Sequence, residues 1–314
     1  MSVRKTCYTD PPPATARLNH CTNSFLPVAK LGGFSYNRVH PDKPARKQEY
    51  KVSQTSQVSD DAVSKNRENF LIKASAWAKA DPLFSVQEMP GATAVFSGSS
   101  SDTFNILALE RASKINTFKA IEKARETLFG NNRFAVWSWE TGQLQSLPVS
   151  EEVIEENLIM TCHIANLADR EPDDTPLETT PVTDPMHLMD VGGVLASVFG
   201  ESQEAFMLQS IYAGQDETSL AALQIRYLLA YEAGVAAAAG SYITDGTLAG
   251  IYDVAVRPAL QKKRLGSRMF NAVIDAAAAS GAQSFTLQAA ASGAAIYKRA
   301  GFAVAGSCWC LDID

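Results

Sequence analysis

Asp253-Val-Ala-Val-Arg-Pro-Ala-Leu-Gln-Lys-Lys-Arg-Leu-Gly-Ser267 decides how this chain is read. An apolar run closes at Arg257-Pro258, because proline removes a backbone donor and cannot continue a paired strand. A helix opens near Leu265, with Leu265, Met269, Val273 and Ala276 recurring on one side and Gly281 at its end. Between strand and helix lies a short loop. Its amides, together with the first-turn N–H groups of the helix, have no intrahelical acceptor and point one way, which makes an anion site. Arg257, Lys262, Lys263, Arg264 and Arg268 surround that site with no acid among them. On a chain of net charge −6, this local positive cluster suits a ligand carrying several phosphates.

Downstream, Ser284–Gln288 is predicted as a strand, Gly293–Ala300 as a helix and Phe302–Leu311 as a last strand. Leu287-Gln288-Ala289 leads into Gly293-Ala294-Ala295-Ile296-Tyr297-Lys298-Arg299-Ala300-Gly301-Phe302. Loop, helix, strand and Tyr-x-x-x-Gly-Phe, in this order and spacing, resemble the GNAT superfamily of acyl-CoA-dependent N-acyltransferases. In that family the pyrophosphate loop reads Gln/Arg-x-x-Gly-x-Gly/Ala, and here it stands as Gln261-Lys262-Lys263-Arg264-Leu265-Gly266. Two positions depart from the pattern. Arg264 replaces the earlier glycine, at a cost of about 1 kcal/mol if that position needs a positive φ. Ala290 stands where members of the subgroup carry Ser.

The resemblance implies an acetyltransferase over about Leu177–Asp314 that uses acetyl-CoA as co-substrate. Gln261, Lys262, Lys263, Arg264, Leu265, Gly266 and Ser267 would hold the pyrophosphate, and the strand segment Val254, Ala255, Val256 the pantetheine arm. Tyr297 would act as the acid for the leaving thiolate and line the coenzyme site. Asp253 is the first candidate for the base, with Tyr252, Glu232 and Asp245 as others. The acceptor would be a primary amine of a small molecule, or a protein lysine or N-terminus. The alternative is an inactive coenzyme-A-binding or protein-interaction scaffold, prompted by Arg264 and Ala290.

Working outward, residues 66–168 look like a degenerate GNAT-like unit, on the strength of Trp77, Gly98, Phe104-Asn105 and Phe134-Ala-Val-Trp137. They lack a phosphate loop and a Tyr before a Gly-Phe. The predicted elements begin with a helix near Asn66. A hairpin around Pro90-Gly91, a strand at Asn105–Leu109, a helix at Lys119–Leu128 and a strand at Phe134–Trp139 follow. Val149–Asn157 reads as a short helix capped by Ser150, and Ile159–Ile164 as a strand. Residues 169–176 open an acidic, proline-rich linker. Helices are expected at Met186–Phe199 and Gln203–Tyr212, and strands at Ala221–Glu232, Gly234–Tyr242 and Ile251–Val256. The fold class is therefore α+β: a twisted mixed sheet flanked by helices, in two tandem GNAT-like units.

Residues 1–65 show no period and are read as a largely disordered arm. Nine basic residues against three acidic ones over residues 1–51 make it basic; it is read as a solvated tail rather than a nucleic-acid or membrane anchor. No apolar run reaches transmembrane length. Arg4 and Lys5 are not followed by an apolar segment, so no secretory signal is expected, and Pro11-Pro12-Pro13 would break the helix of a transit peptide. The five cysteines form no CxxC, so no zinc site is expected; a reducing, cytoplasmic location fits them. Cys308-Trp-Cys310 would put both thiols on one face of a strand. His20, His40, His163 and His187 lie in no catalytic motif, and no metal is implied.

Overall fold

The computed structural model describes residues 60–111, 116–169, 176–290 and 293–314. The basic arm up to residue 59 and most of the acidic linker lie outside them. The rest forms a mixed α/β structure with an 11-stranded sheet. Helices α1 (Asp60–Ser75) and α2 (Trp77–Ala80) lead into β1 (Ser85–Met89), β2 (Ala92–Phe96), β3 (Ile106–Leu109), α3 (Thr117–Ala124), β4 (Phe134–Ser138) and β5 (Glu155–His163). After the linker come β6 (Thr180–Pro181), α4 (Pro185–Ala196), α5 (Gln203–Ala213) and α6 (Glu217–Ala222). Then follow β7 (Arg226–Glu232), β8 (Val235–Thr244), β9 (Leu248–Val256), α7 (Leu265–Ala279), β10 (Ser284–Ala290), α8 (Ala294–Arg299) and β11 (Ala303–Ile313).

The strand order is β1-β2-β3-β4-β11-β5-β10-β9-β8-β7-β6. Two parallel pairs stand in equivalent places, β3 with β4 and β9 with β10, each joined through a helix, α3 or α7. At the centre β11 and β5 pair antiparallel. Apart from the extra edge strand β6, the order reads symmetrically outward from that pair, as in two tandem units. Each half has lent its last strand to the other: β5 lies between β10 and β11, and β11 lies between β4 and β5.

Side-chain alternation divides the core. Ile106, Ala108, Trp137, Tyr252, Ala255, Cys308 and Cys310 pack with α1, α4 and α5 on one face, so the two thiols of β11 do share a face. On the other, α7 buries Leu265, Met269, Phe270, Val273, Ile274 and Ala277 against Ile251, Val254, Phe285 and Leu287. Each large side chain so buried contributes roughly 1.5–3 kcal/mol. The acids Asp60 and Asp61 favour the positive end of α1. Among the described residues no helix is long and apolar enough to cross a membrane.

Three expectations need correction. Order starts at Asp60 rather than Asn66, and Val63 is already buried in the core. Val149–Asn157 is not a helix: Ser150 caps a single short turn, and the chain is extended from Glu155. Pairing with β10 and β11 on both sides overrides the local helical preference there. Ala221 and Ala222 close helix α6 instead of opening the next strand, because the Asp216 side chain caps that helix at its start.

Helix α1 belongs to the N-terminal half, yet it packs on β8, β9, β5 and β11. It lies close over Gly250, where an added Cβ would run into the Asn69 carboxamide and the Tyr252 ring. Gly250→Ala should lower the unfolding free energy by about 1–3 kcal/mol, read as a lower denaturant midpoint at unchanged slope. An unchanged midpoint would show that α1 does not press on the sheet there.

Candidate active site

Parallel pairing of β9 with β10 covers only Ser284↔Leu248, Phe285↔Ala249 and Thr286↔Gly250. Beyond Gly250 the two strands part, although β9 runs on to Val256 and β10 to Ala290. A β-bulge accompanies the parting. The register of β8 on β9 shifts between Ala239 and Ser241, and Asp253 takes φ 55°. A bulge places two consecutive residues against one partner and turns the strand. Tyr252 and Asp253 both meet α1 as a result.

After the bulge the ladder fixes which amides are left over. Arg257 N–H donates to Ala237 O at 3.0 Å, and Ala255 stands opposite Ala239, so these residues face β8. By alternation Val254 and Val256 turn their backbone groups away from β8, towards the opening. The Gln261 side chain confirms this for Val256, whose carbonyl it caps at 3.2 Å. Of the expected strand contacts, Val254 and Val256 therefore face the gap, and Ala255 does not.

The loop after β9 brings the basic residues to the same end. Lys262, Lys263 and Arg264 are exposed, and Lys262 and Arg264 sit at φ 67° and 61°. The position where the related loops carry glycine thus does require a left-handed residue. Arg264 precedes α7 without a side-chain cap, and the first N–H with an intrahelical acceptor is that of Arg268. The amides of Leu265, Gly266 and Ser267 are left at the positive end of a 15-residue helix. Lys263 lies 3.5 Å from Glu232, and Arg268 reaches the carbonyl of Pro176.

Tyr297 lies on α8, fully buried beside Phe270 with ring centroids 5.0 Å apart. Among the described residues its hydroxyl has no hydrogen-bond partner. Burial pushes its pKa well above the usual phenol range, so the proton stays on at neutral pH. On β5, Asn157 stands opposite Ala290 and Cys308, completely buried, with neither polar atom of its carboxamide bonded among the described residues. Unpartnered polar atoms at such depth are uncommon, and Asn157 and Tyr297 are two of several such residues in the molecule.

Asp253 is 5% exposed. Lys73 Nζ donates to one of its oxygens at 2.9 Å, and Ser241 Oγ to the other at 2.7 Å. Burial lowers the Lys73 pKa, opposed by the attraction of Asp253. Beside this pair, Tyr252 OH donates to Asn69 at 2.8 Å. Asn66 donates to Thr286 and accepts from Gln288, both at 2.8 Å, and accepts from Trp139 Nε1 at 2.9 Å. The loop and Tyr297 were identifiable from local motifs. Lys73, Asn66, Asn69, Ser241 and Asn157 were not, because their neighbours lie far away in sequence or on another strand.

The corresponding places in the N-terminal half are built differently. β2 and β3 pair without a register shift, and β3 stays paired with β4 from Ile106 to Ala108. Helix α3 is capped by Asn116, whose side chain accepts from Lys119 N–H. Arg111, at the end of β3, is tied to Asp60 and Ser64 of α1.

Residues 198–302 match the acetyltransferase (GNAT) family, which places a GNAT domain in the C-terminal half. Among curated proteins none matches this sequence. Solved structures share the fold at low identity. A GCN5-related N-acetyltransferase from Kribbella flavida is 12% identical, with a TM-score of 0.55 over 80% of this chain and 95% of its own. A functionally unknown conserved protein from Staphylococcus epidermidis is 13% identical, with a TM-score of 0.50 over 72% and 92%. A tandem GNAT protein from the clavulanic acid biosynthesis pathway is 14% identical, with a TM-score of 0.48 over 82% and 97%.

The left-handed conformation at Arg264 gives a direct test of the loop. Arg264→Gly should raise the unfolding free energy by about 0.5–1 kcal/mol, the relief at φ 61° exceeding the entropy glycine adds to the unfolded chain. A lower thermal midpoint would mean that the arginine side chain contributes more contact than its backbone costs.

Proposed function

We propose that this protein transfers an acetyl group from acetyl-CoA to a primary amine at the parted strands β9 and β10. The observation that carries the reading is the coincidence of the bulge at Asp253 with the uncapped start of α7 one loop later. The residues present fit the coenzyme: a left-handed basic loop for the pyrophosphate, and an unpartnered buried hydroxyl at Tyr297. Acetyl-CoA would supply a thioester carbonyl open to attack by the amine.

In this reading Gln261–Ser267 bind the pyrophosphate, through the amides of Leu265, Gly266 and Ser267 and the charges of Lys262, Lys263 and Arg264. Gln261 acts indirectly, by tying the loop to Val256 O. The N–H groups of Val254 and Val256 orient the pantetheine arm and stabilise negative charge growing on the carbonyl oxygen. Tyr297, kept protonated by its burial, donates a proton to the departing sulfur. Both oxygens of Asp253 already accept from Lys73 and Ser241, so the base is not assigned to it; the amine attacks as the free base, and the proton it loses on acylation passes to solvent, which reprotonates Tyr297. The acceptor is a small-molecule amine or a protein lysine or N-terminus. The N-terminal half, with α3 capped and β3 paired, is assigned no coenzyme.

Two experiments test this reading. Charge reversal at Lys262 and Lys263 together should weaken acetyl-CoA binding at least tenfold in calorimetry, more at low salt; equal affinity would remove the loop from the site. Tyr297→Phe should slow acyl transfer in a single turnover by about 10²-fold or more. It should also raise stability by about 1 kcal/mol, because an unpartnered hydroxyl leaves the core. Acyl transfer at the parent rate would make Tyr297 a packing residue.

A further inference from the structure

We infer that helix α1 of the N-terminal half is the strut that fixes the opening between β9 and β10, and that Lys73 is a positioning residue acting through Asp253. The inference rests on the proposed coenzyme site and concerns what holds that site open.

Asn66, Asn69 and Lys73 follow one another at helical spacing and form a single polar stripe on α1. The stripe is buried, at 0%, 2% and 4% exposure. A helix that only covered a sheet would need no such stripe, since burying polar groups is costly unless each is paired. Val63, Phe70 and Ala74 of the same helix meet the core with apolar side chains.

Each member of the stripe grips a different part of the opening. Asn66 bonds Thr286 and Gln288 of β10. Asn69 bonds Tyr252 of β9 and, at 3.5 Å, the carbonyl of Ile243 on β8. Lys73 bonds Asp253, the bulge residue itself. Thr286 and Gly250 form the last pair before the strands part, so the grips begin at the fork and continue along both arms. One stiff helix therefore fixes both strands, and neither can shift towards the other without breaking a buried bond.

The ion pair points the same way. Buried pairs of this kind can often be replaced by apolar groups without loss of stability. The pair does, however, hold a non-glycine residue at φ 55° and in register for the bulge. That bulge decides which amides of β9 face the gap. The N-terminal half, bearing no coenzyme site of its own, thus sets the geometry of its neighbour's.

The test uses the full chain and acetyl-CoA as probe. Lys73→Met alone would strand a buried carboxylate, so it is combined with Asp253→Asn. The double variant should fold with a denaturant midpoint close to the parent's and bind acetyl-CoA at least tenfold more weakly in calorimetry. Asn69→Leu with Tyr252→Phe removes a second grip without touching a charge and should weaken binding in the same direction, which covers the case where the first variant does not fold. Parent-like affinity in a folded double variant overturns the inference. Slower turnover at unchanged acetyl-CoA affinity overturns it too, and returns Asp253 to the role of base. A parent protein that does not bind acetyl-CoA overturns the coenzyme site and the strut with it. Binding that is lost on charge reversal at Lys262 and Lys263, but kept in both strut variants, overturns the strut alone.

Discussion

β5 and β11 lie side by side at the centre of the sheet, each inserted between strands of the opposite half. Without β5, β10 would lose its antiparallel partner and present a bare edge. Without β11, β4 would do the same. Exposed edges of long apolar strands invite association, so neither half is a self-sufficient unit. The exchange also explains why Asn157, encoded in the N-terminal half, comes to stand beside Ala290 at the mouth of the C-terminal site. Pairings such as Ser284↔His163 join residues distant in sequence, and a high share of such contacts is associated with slow folding.

Given one topology used twice, the difference between the halves is chemical and local. In the C-terminal half the helix after the parallel crossover starts without a side-chain cap, and the strand before it carries a bulge. In the N-terminal half the Asn116 side chain caps the equivalent helix by taking the N–H of Lys119, and the equivalent strand is regular and stays paired. A cap and a closed ladder stabilise a fold; an uncapped helix and a fork leave polar groups for a ligand.

The sequence made the candidate site legible wherever the pattern was local. The loop Gln261–Ser267, the helix behind it and the Tyr297–Phe302 run could be read because each depends on neighbours a few residues away. The glycine that the related loops place at position 264 raised the question of a positive φ there, and Arg264 adopts one at 61°. The α1 stripe was hidden for the opposite reason: Lys73 and Asp253 are 180 residues apart, and Asn66 and Gln288 are 222 apart. Nothing near Lys73 marks it as other than a solvated lysine. The early start of α1 was signalled by Asp60 and Asp61 as first-turn acids, a weaker cue than the apolar spacing that begins at Asn66. Glu155–Asn157 failed because two flanking strands, not the residues themselves, make that segment extended.

The loop's electrostatics argue against its being a packing feature. A helix is stabilised by acids at its start and bases at its end. α7 has the reverse, with Lys262, Lys263 and Arg264 just before its first turn and no acid in that turn. Two of the three are also held left-handed, the conformation in which a non-glycine residue is least at ease. Repulsion, dipole and backbone strain all act against the fold at one exposed place, and a bound polyanion would reverse the first two. The two electrostatic penalties are of the kind that phosphates near Lys262, Lys263 and Arg264 would offset, whereas the left-handed backbone is a cost that only the loop's shape explains.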